Sequence, residues 1–294
     1  MSTQGQIAAQ PGAVSVVELL EDVEGLVSPP DVCLKMFELI QSPTSGADDI
    51  AGLVSVDPNL TTRVLRLANS AFYRFRRKID TVSRAVTVIG TAELYQLVLS
   101  ISAVKSFSGI ANELVRMETF WRHSVYTGLM ARALAIRANV LHPERLFVAG
   151  MMHDIGALVL YHQRPHVMQE LLLIADGDEQ LLYTAEMDRF GFSHATVAAR
   201  LMENWQLPDE LIDAIAWHHA PGQAAGNGIE ARILYLAEHM VNASEQGNFM
   251  GTPKEETHMP GAMLEEVEVS EDELFFAFEE AAGQFPATLE ALTV

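Results

Sequence analysis

A chain of 294 residues, 49% of them apolar and 20% charged, has the composition of a globular protein with a large core. Its formal charge of −20 opposes non-specific contact with nucleic acid or an anionic membrane, and no apolar run approaches the roughly 20 residues of a membrane span. Cys33 is the only cysteine, which excludes an intrachain disulfide and cysteine-based metal clusters, and the polar Met1–Pro11 stretch lacks the pattern of a signal peptide, so a cytoplasmic protein is expected.

Residues 1–13 read as a disordered tail. Beyond them, apolar residues recur at i, i+3 and i+4 in Val32–Gln41, Ile50–Val56, Leu60–Ser70 and Glu93–Ser106, and strict alternation is rare, which is the pattern of helices. Asp57-Pro58 reads as an N-cap followed by proline at the first helical position, where a missing N–H costs nothing. Ser42-Pro43 and Gly46 break the preceding helix, Phe72–Thr81 is too basic and irregular for a core helix, and Val82–Ile89 is a short apolar helix closed by Gly90. These elements make an N-terminal helical lobe over residues 14–112.

The second lobe, 113–294, starts with a long helix expected over Glu113–Asn139. His142-Pro143 opens the next, which runs through Met151-Met152 into His153-Asp154. Further helices are expected over Asp209–His219, stopped by Pro221-Gly222, and over Arg232–Asn242. Ser270 with Glu273 is a capping-box signature ahead of an acidic C-terminal helix. Breaker residues gather in Ala220–Gly228 and Gly247–Gly261. The fold class is all-α. Charge is unevenly spread: Arg63, Arg66, Arg74, Arg76, Arg77 and Lys78 fall close together, whereas Glu255–Glu280 is rich in glutamate. The basic set is either a solvated helix face or a dock for an acidic partner or a phosphate, with Arg74–Lys78 as the first candidate for a partner surface.

Histidines and acids are strung across the second half: His123, the adjacent His153-Asp154, His194, the adjacent His218-His219, and Glu238. Imidazole and carboxylate suit divalent transition metals such as iron, manganese, zinc or nickel, and a carboxylate beside a histidine can bridge two ions. Taken singly, each histidine is more often structural than a ligand. Burying so many polar side chains without partners costs about 1–3 kcal/mol each, so the set as a whole points to one or two bound ions. No separate general base can be named.

Two stretches carry a resemblance. Ser55-Val56-Asp57-Pro58-Asn59-Leu60-Thr61, followed by Val64-Leu65-Arg66-Leu67-Ala68-Asn69-Ser70-Ala71-Phe72-Tyr73, resembles the signature of the HDOD domain (HD-related output domain) of bacterial signalling proteins. The likeness runs from about residue 26 to 240 and implies a two-lobe helical architecture with a C-terminal HD-like bundle. That bundle is similar to the HD superfamily of metal-dependent phosphohydrolases. Carried over by position, His123 matches the first ligand, His153-Asp154 the pair, His194 the next, His218-His219 the His-His step, and Glu238 the late acid, with His239 as a substitute donor. The Gly-Tyr-Pro loop of the cyclic-diguanylate phosphodiesterases is absent, since the chain reads Ala220-Pro221-Gly222-Gln223-Ala224 there. Cyclic diguanylate hydrolysis is therefore not expected. The resemblance implies a regulatory protein that relays a signal by binding a signalling protein or small ligand; the alternative is a phosphohydrolase acting on a nucleotide or phosphodiester. Trp121 and Trp217, next to candidate ligands, are expected to wall the site.

Overall fold

Helix is the only regular structure among the described residues of this computed structural model, namely 15–21, 23, 28–70, 73, 75, 77–110, 112–226, 228–244, 247 and 261–293. The N-terminal part comprises α1 (Val16–Glu21), α2 (Asp31–Gln41), α3 (Ala47–Ser55), α4 (Pro58–Ala68), α5 (Val82–Ile89) and α6 (Thr91–Phe107). Then follow α7 (Met117–Arg137), α8 (Glu144–Met152), α9 (Ile155–Gln163), α10 (Pro165–Ala175), α11 (Glu179–Phe190), α12 (His194–Asn204) and α13 (Asp209–Ala216). A short 3-10 turn, Pro221–Gln223, precedes α14 (Ile229–Asn242), α15 (Gly261–Glu266) and α16 (Glu271–Thr293).

Local chemistry sets the helix ends. The Asp57 carboxylate accepts the Asn59 and Leu60 amides at 2.8 and 3.2 Å, capping α4. Gly90, at φ 91°, makes the junction between α5 and α6 in a backbone region that side chains with a Cβ rarely enter. At α16 the capping box is complete, with Ser270 N donating to Glu273 Oε2 at 2.8 Å and Glu273 N to Ser270 Oγ at 3.3 Å.

The buried side chains form one hydrophobic cluster running from Leu19 to Leu292. Its axis is α7, which packs on α8, α14 and α16. Tyr126 of α7 lies 4.8 Å from the Phe285 ring of α16, and Arg137 pairs with Glu280 at 3.2 Å. The C-terminal helix also reaches α4, where Arg63 donates to the Leu292 carbonyl at 2.9 Å and Arg66 pairs with Glu290 at 3.8 Å. Two members of the basic set thus meet the chain's own acidic helix. Arg74 and Arg76, like the tail 1–13 and most of 247–261, lie outside the described residues.

Three expected boundaries move. The long helix starts at Met117, not Glu113, because the Asn112 side chain accepts the Val115 amide at 2.9 Å and holds those residues in a turn. The helix Asp209–His219 ends at Ala216, so His218 and His219 stand beyond it. The helix expected to carry His153-Asp154 ends at Met152, and the pair forms the junction between α8 and α9. Around the expected 72–81 loop, Asn69 donates to the Ile79 carbonyl and accepts its amide, both at 2.7 Å. This clamp ties Ile79 to the end of α4.

Candidate metal centre

The candidate ligands sit at helix ends or on buried helix faces that point at one another. His123 projects from α7, His194 is the first residue of α12, and Glu238 lies on α14. Close backbone contact brings these elements together. A Cβ on Gly150 would lie 2.5 Å from the backbone of Gly128, so α8 meets α7 at a glycine pair. A Cβ on Gly156 would overlap the His194 carbonyl oxygen, so α9 crosses α12 with no room for a side chain. These contacts hold His123, His153, Asp154 and His194 in one cluster.

Hydrogen bonds fix the imidazole tautomers. Nδ1 of His153 donates to Gly150 O at 2.8 Å, Nδ1 of His218 to Ile215 O at 2.6 Å, and Nδ1 of His123 to Gly247 O at 2.8 Å. A carbonyl only accepts, so each Nδ1 carries a proton, and Nε2 is the ring nitrogen that can offer a lone pair to an ion. Those nitrogens face inward. Nε2 of His123 lies 3.3 Å from Nε2 of His153. Burial, and then the neighbouring His153, push His123 down to about 4, so the His123 ring is neutral near pH 7. An ion held here would be reached by both nitrogens.

Asp154 stands in the middle. Its Oδ2 lies 3.2 Å from His153 Nε2 and 3.6 Å from His123 Nε2, while Oδ1 lies 3.4 Å from His194 Nε2. Burial opposes its charge, but His153, His194 and His123 outweigh that and hold the carboxyl well below the usual range. Nε2 of His194 is 2.9 Å from Nε2 of His219, and Glu238 Oε2 is 3.9 Å from both His218 Nε2 and His219 Nδ1. Burial, followed by the charges of Asp154 and Glu179, pushes Glu238 well above the usual carboxylate range.

The donors fall into two groups, His123 with His153 and Glu238, and Asp154 with His194, His218 and His219, each with its atoms within 4.8 Å of one another. Ligands held at about 2.0–2.2 Å around one ion lie about 3–4 Å apart. The observed separations fit, and Asp154 turns one oxygen toward each group. Asp154 Oδ1, His218 Nε2 and Glu238 Oε1 are buried without a hydrogen-bond partner, which an ion would remedy. The enclosure is tight. His219, the most exposed of the set, is 6% exposed, and His123, His153 and His218 are at 0%.

Glu186 is an essential part of this geometry that the sequence reading missed. Its Oε2 accepts the His194 amide at 2.8 Å and His194 Nδ1–H at 2.6 Å. Burial by itself lowers the His194 pKa, but the Glu186 carboxylate, then Asp154 and Glu179, raise it to about 10. Without an ion, His194 therefore donates its second N–H to His219, and metal uptake must displace that proton. The available signal was positional: Glu186 follows Leu182 by four residues on the buried face of α11, where an unpaired acid is out of place. The substitute donor His239 is in neither group; it is half-buried and stacks on Tyr235 at 6.2 Å. Trp217 lines a surface groove beside the cluster, and Trp121 packs edge-on to Phe120 at 5.1 Å within the core.

The sequence profile of the HDOD domain matches residues 26–221. The chain belongs to the HDOD family. Solved structures share the fold. One is an HDOD domain protein of unknown function from Geobacter sulfurreducens, 24% identical over 94% of this chain and 96% of that one, with a TM-score of 0.72. A second, from Shewanella amazonensis SB2B and provisionally named a phosphohydrolase, is 25% identical over 93% and 97% of the two chains, with a TM-score of 0.71. A third, from Marinobacter aquaeolei VT8 and provisionally named a signal transduction protein, is 22% identical over 94% of this chain and 61% of that one, with a TM-score of 0.68. A curated, uncharacterized relative from Treponema pallidum (strain Nichols) is 26% identical over 208 residues, which span 70% of this chain and 39% of the relative. The HDOD match stops at residue 221, so Glu238 is supplied from beyond it. No described helix of this HDOD chain is long and apolar enough to cross a membrane.

Proposed function

We propose that this HDOD chain is a signal-transduction protein that binds a partner or small ligand and carries a structural metal centre on His123, His153, Asp154, His194, His218, His219 and Glu238. The observation that carries this reading is enclosure, since no member of the set is more than 6% exposed. A catalytic ion keeps a coordination position open to substrate, whereas a structural ion is closed in by protein. The absence of the Gly-Tyr-Pro loop after His219 supports the same reading.

The complete donor set and the central placement of Asp154 favour a second reading, a metal-dependent phosphohydrolase acting on a nucleotide or phosphodiester. In that case the ions would acidify a bound water and polarise a phosphoryl oxygen. The test is elemental analysis of untagged protein purified without chelator, followed by a turnover screen of phosphodiesters and nucleotides. One or two ions per chain with no turnover above a protein-free control supports the signalling role. Turnover that disappears in His153→Ala moves the assignment to the hydrolase, and a protein that refuses added metal refutes the centre itself.

A further inference from the structure

Beside the metal centre lies a groove of about 920 Å³ between α11, α12 and α13. That volume is at the upper end of the roughly 300–1,000 Å³ typical of small-molecule sites. Tyr183, Met187 and Trp217 are among its lining residues. Trp217 is half-buried, whereas Trp121 and Trp205 are 4% and 3% exposed, and Met187 is 38% exposed. The charged lining is strongly one-sided: Glu203, Asp209, Glu210, Asp213 and Glu230 stand against Arg200 alone. Arg200 is already bonded to Glu203. A phosphate or carboxylate would meet repulsion here, while a cation would find both carboxylates and aromatic faces.

Part of this lining abuts the candidate metal centre. The Tyr183 ring packs 5.2 Å from the His219 ring. Trp217 directly precedes His218, and Ser193, another lining residue, caps α12 immediately before His194. An occupant that shifts Tyr183 or Trp217 therefore presses on two members of the second ligand group, His219 and His218.

We propose that this groove binds a small organic cation, an ammonium or amidinium head on an aromatic or apolar body, and that Tyr183 and Trp217 relay its occupancy to the metal centre. The proposal supplies the ligand class for the signalling role and rests on that reading. It is tested by calorimetric titration of the full chain with benzamidinium and phenethylammonium, with benzamide and benzoate as neutral and anionic controls. Both cations should bind, benzamide roughly ten-fold more weakly, and benzoate not at all. Trp217→Ala, and separately the surface double variant Asp209→Asn with Glu210→Gln, should each weaken benzamidinium binding about five- to ten-fold, and the double variant should leave the metal content unchanged.

Benzoate or benzamide binding as tightly as benzamidinium overturns the site. So does the absence of cation binding up to about 10 mM, or full affinity in the acidic double variant, which serves should Trp217→Ala fail to fold. Saturating benzamidinium should also shift the visible bands of the cobalt-loaded protein. An unshifted spectrum with the cation bound overturns the relay. A chain that takes up no cobalt refutes the metal centre, and the calorimetric arms still decide the groove.

Discussion

Gly150→Ala puts the architecture of the centre to a direct test. The added methyl would sit 2.5 Å from Cα and N of Gly128. Non-bonded carbons pack at about 3.5–4.0 Å, so α7 and α8 must part by about 1 Å, and backbone atoms cannot swing aside as a side chain can. Overpacking of this kind costs about 1–3 kcal/mol. The same parting takes the Nε2 atoms of His123 and His153 from 3.3 Å toward the distance of about 4.2 Å at which two ligands lie on opposite sides of one ion. Metal sites tolerate shifts of only about 0.2 Å, so affinity should fall at least about ten-fold. Gly52→Ala is the matched control, because no atom lies within 4 Å of its added methyl on the exposed face of α3. Removing a helical glycine there should stabilise the chain by up to about 1 kcal/mol. Thermal unfolding and metal content after gel filtration read both variants. A Gly150→Ala protein with an unchanged midpoint and full metal content would show that the glycine contact does not set the ligand spacing.

Glu186→Gln removes the charge that orients His194, and should lower metal affinity about ten- to a hundred-fold with little change in helical content by circular dichroism. Asp57→Ala strips the cap of α4 and should destabilise the chain by about 1 kcal/mol in urea unfolding, without altering metal content. Burial pushes the Cys33 thiol up to about 11, against an ordinary value of about 8.5. The folded state therefore favours the neutral thiol: its contribution to stability is full below about 8.5 and is lost as pH rises toward about 11. Alkylation by iodoacetamide at pH 8 should be slow in the native protein and fast in urea; equal rates would place the thiol at the surface.

The helices were legible because their apolar spacing is repeated locally, and the Asp57-Pro58, Gly90 and Ser270–Glu273 signals are contained within single turns. Ends that depend on a side chain reaching back were not legible. Nothing local distinguishes Glu113 as helix from Glu113 in a turn held by Asn112, and His218 looks like helix until its ring is seen bonded to Ile215 O. All seven candidate ligands could be named from residue type and order. Their grouping could not, because it depends on how closely α7, α8, α9 and α12 approach at Gly128, Gly150 and Gly156. Glu186 escaped because a single acid on a mixed helix resembles a surface residue until the opposite face is known to be exposed.

The bonds from His153 to Gly150 O and from His218 to Ile215 O are made to carbonyls in the last turns of α8 and α13, where the helix itself offers no donor. Each of these rings is therefore at once the stopper of a helix and a handle on the ion. An ion on Nε2 would anchor each ring and so steady the seal it makes on the helix behind it. Chelation should register in amide exchange as simultaneous fraying of separate helix termini, with the middles of the same helices still protected. A filled centre would work as a keystone: its occupancy would set the stiffness of the surrounding helix ends without requiring any helix to change place.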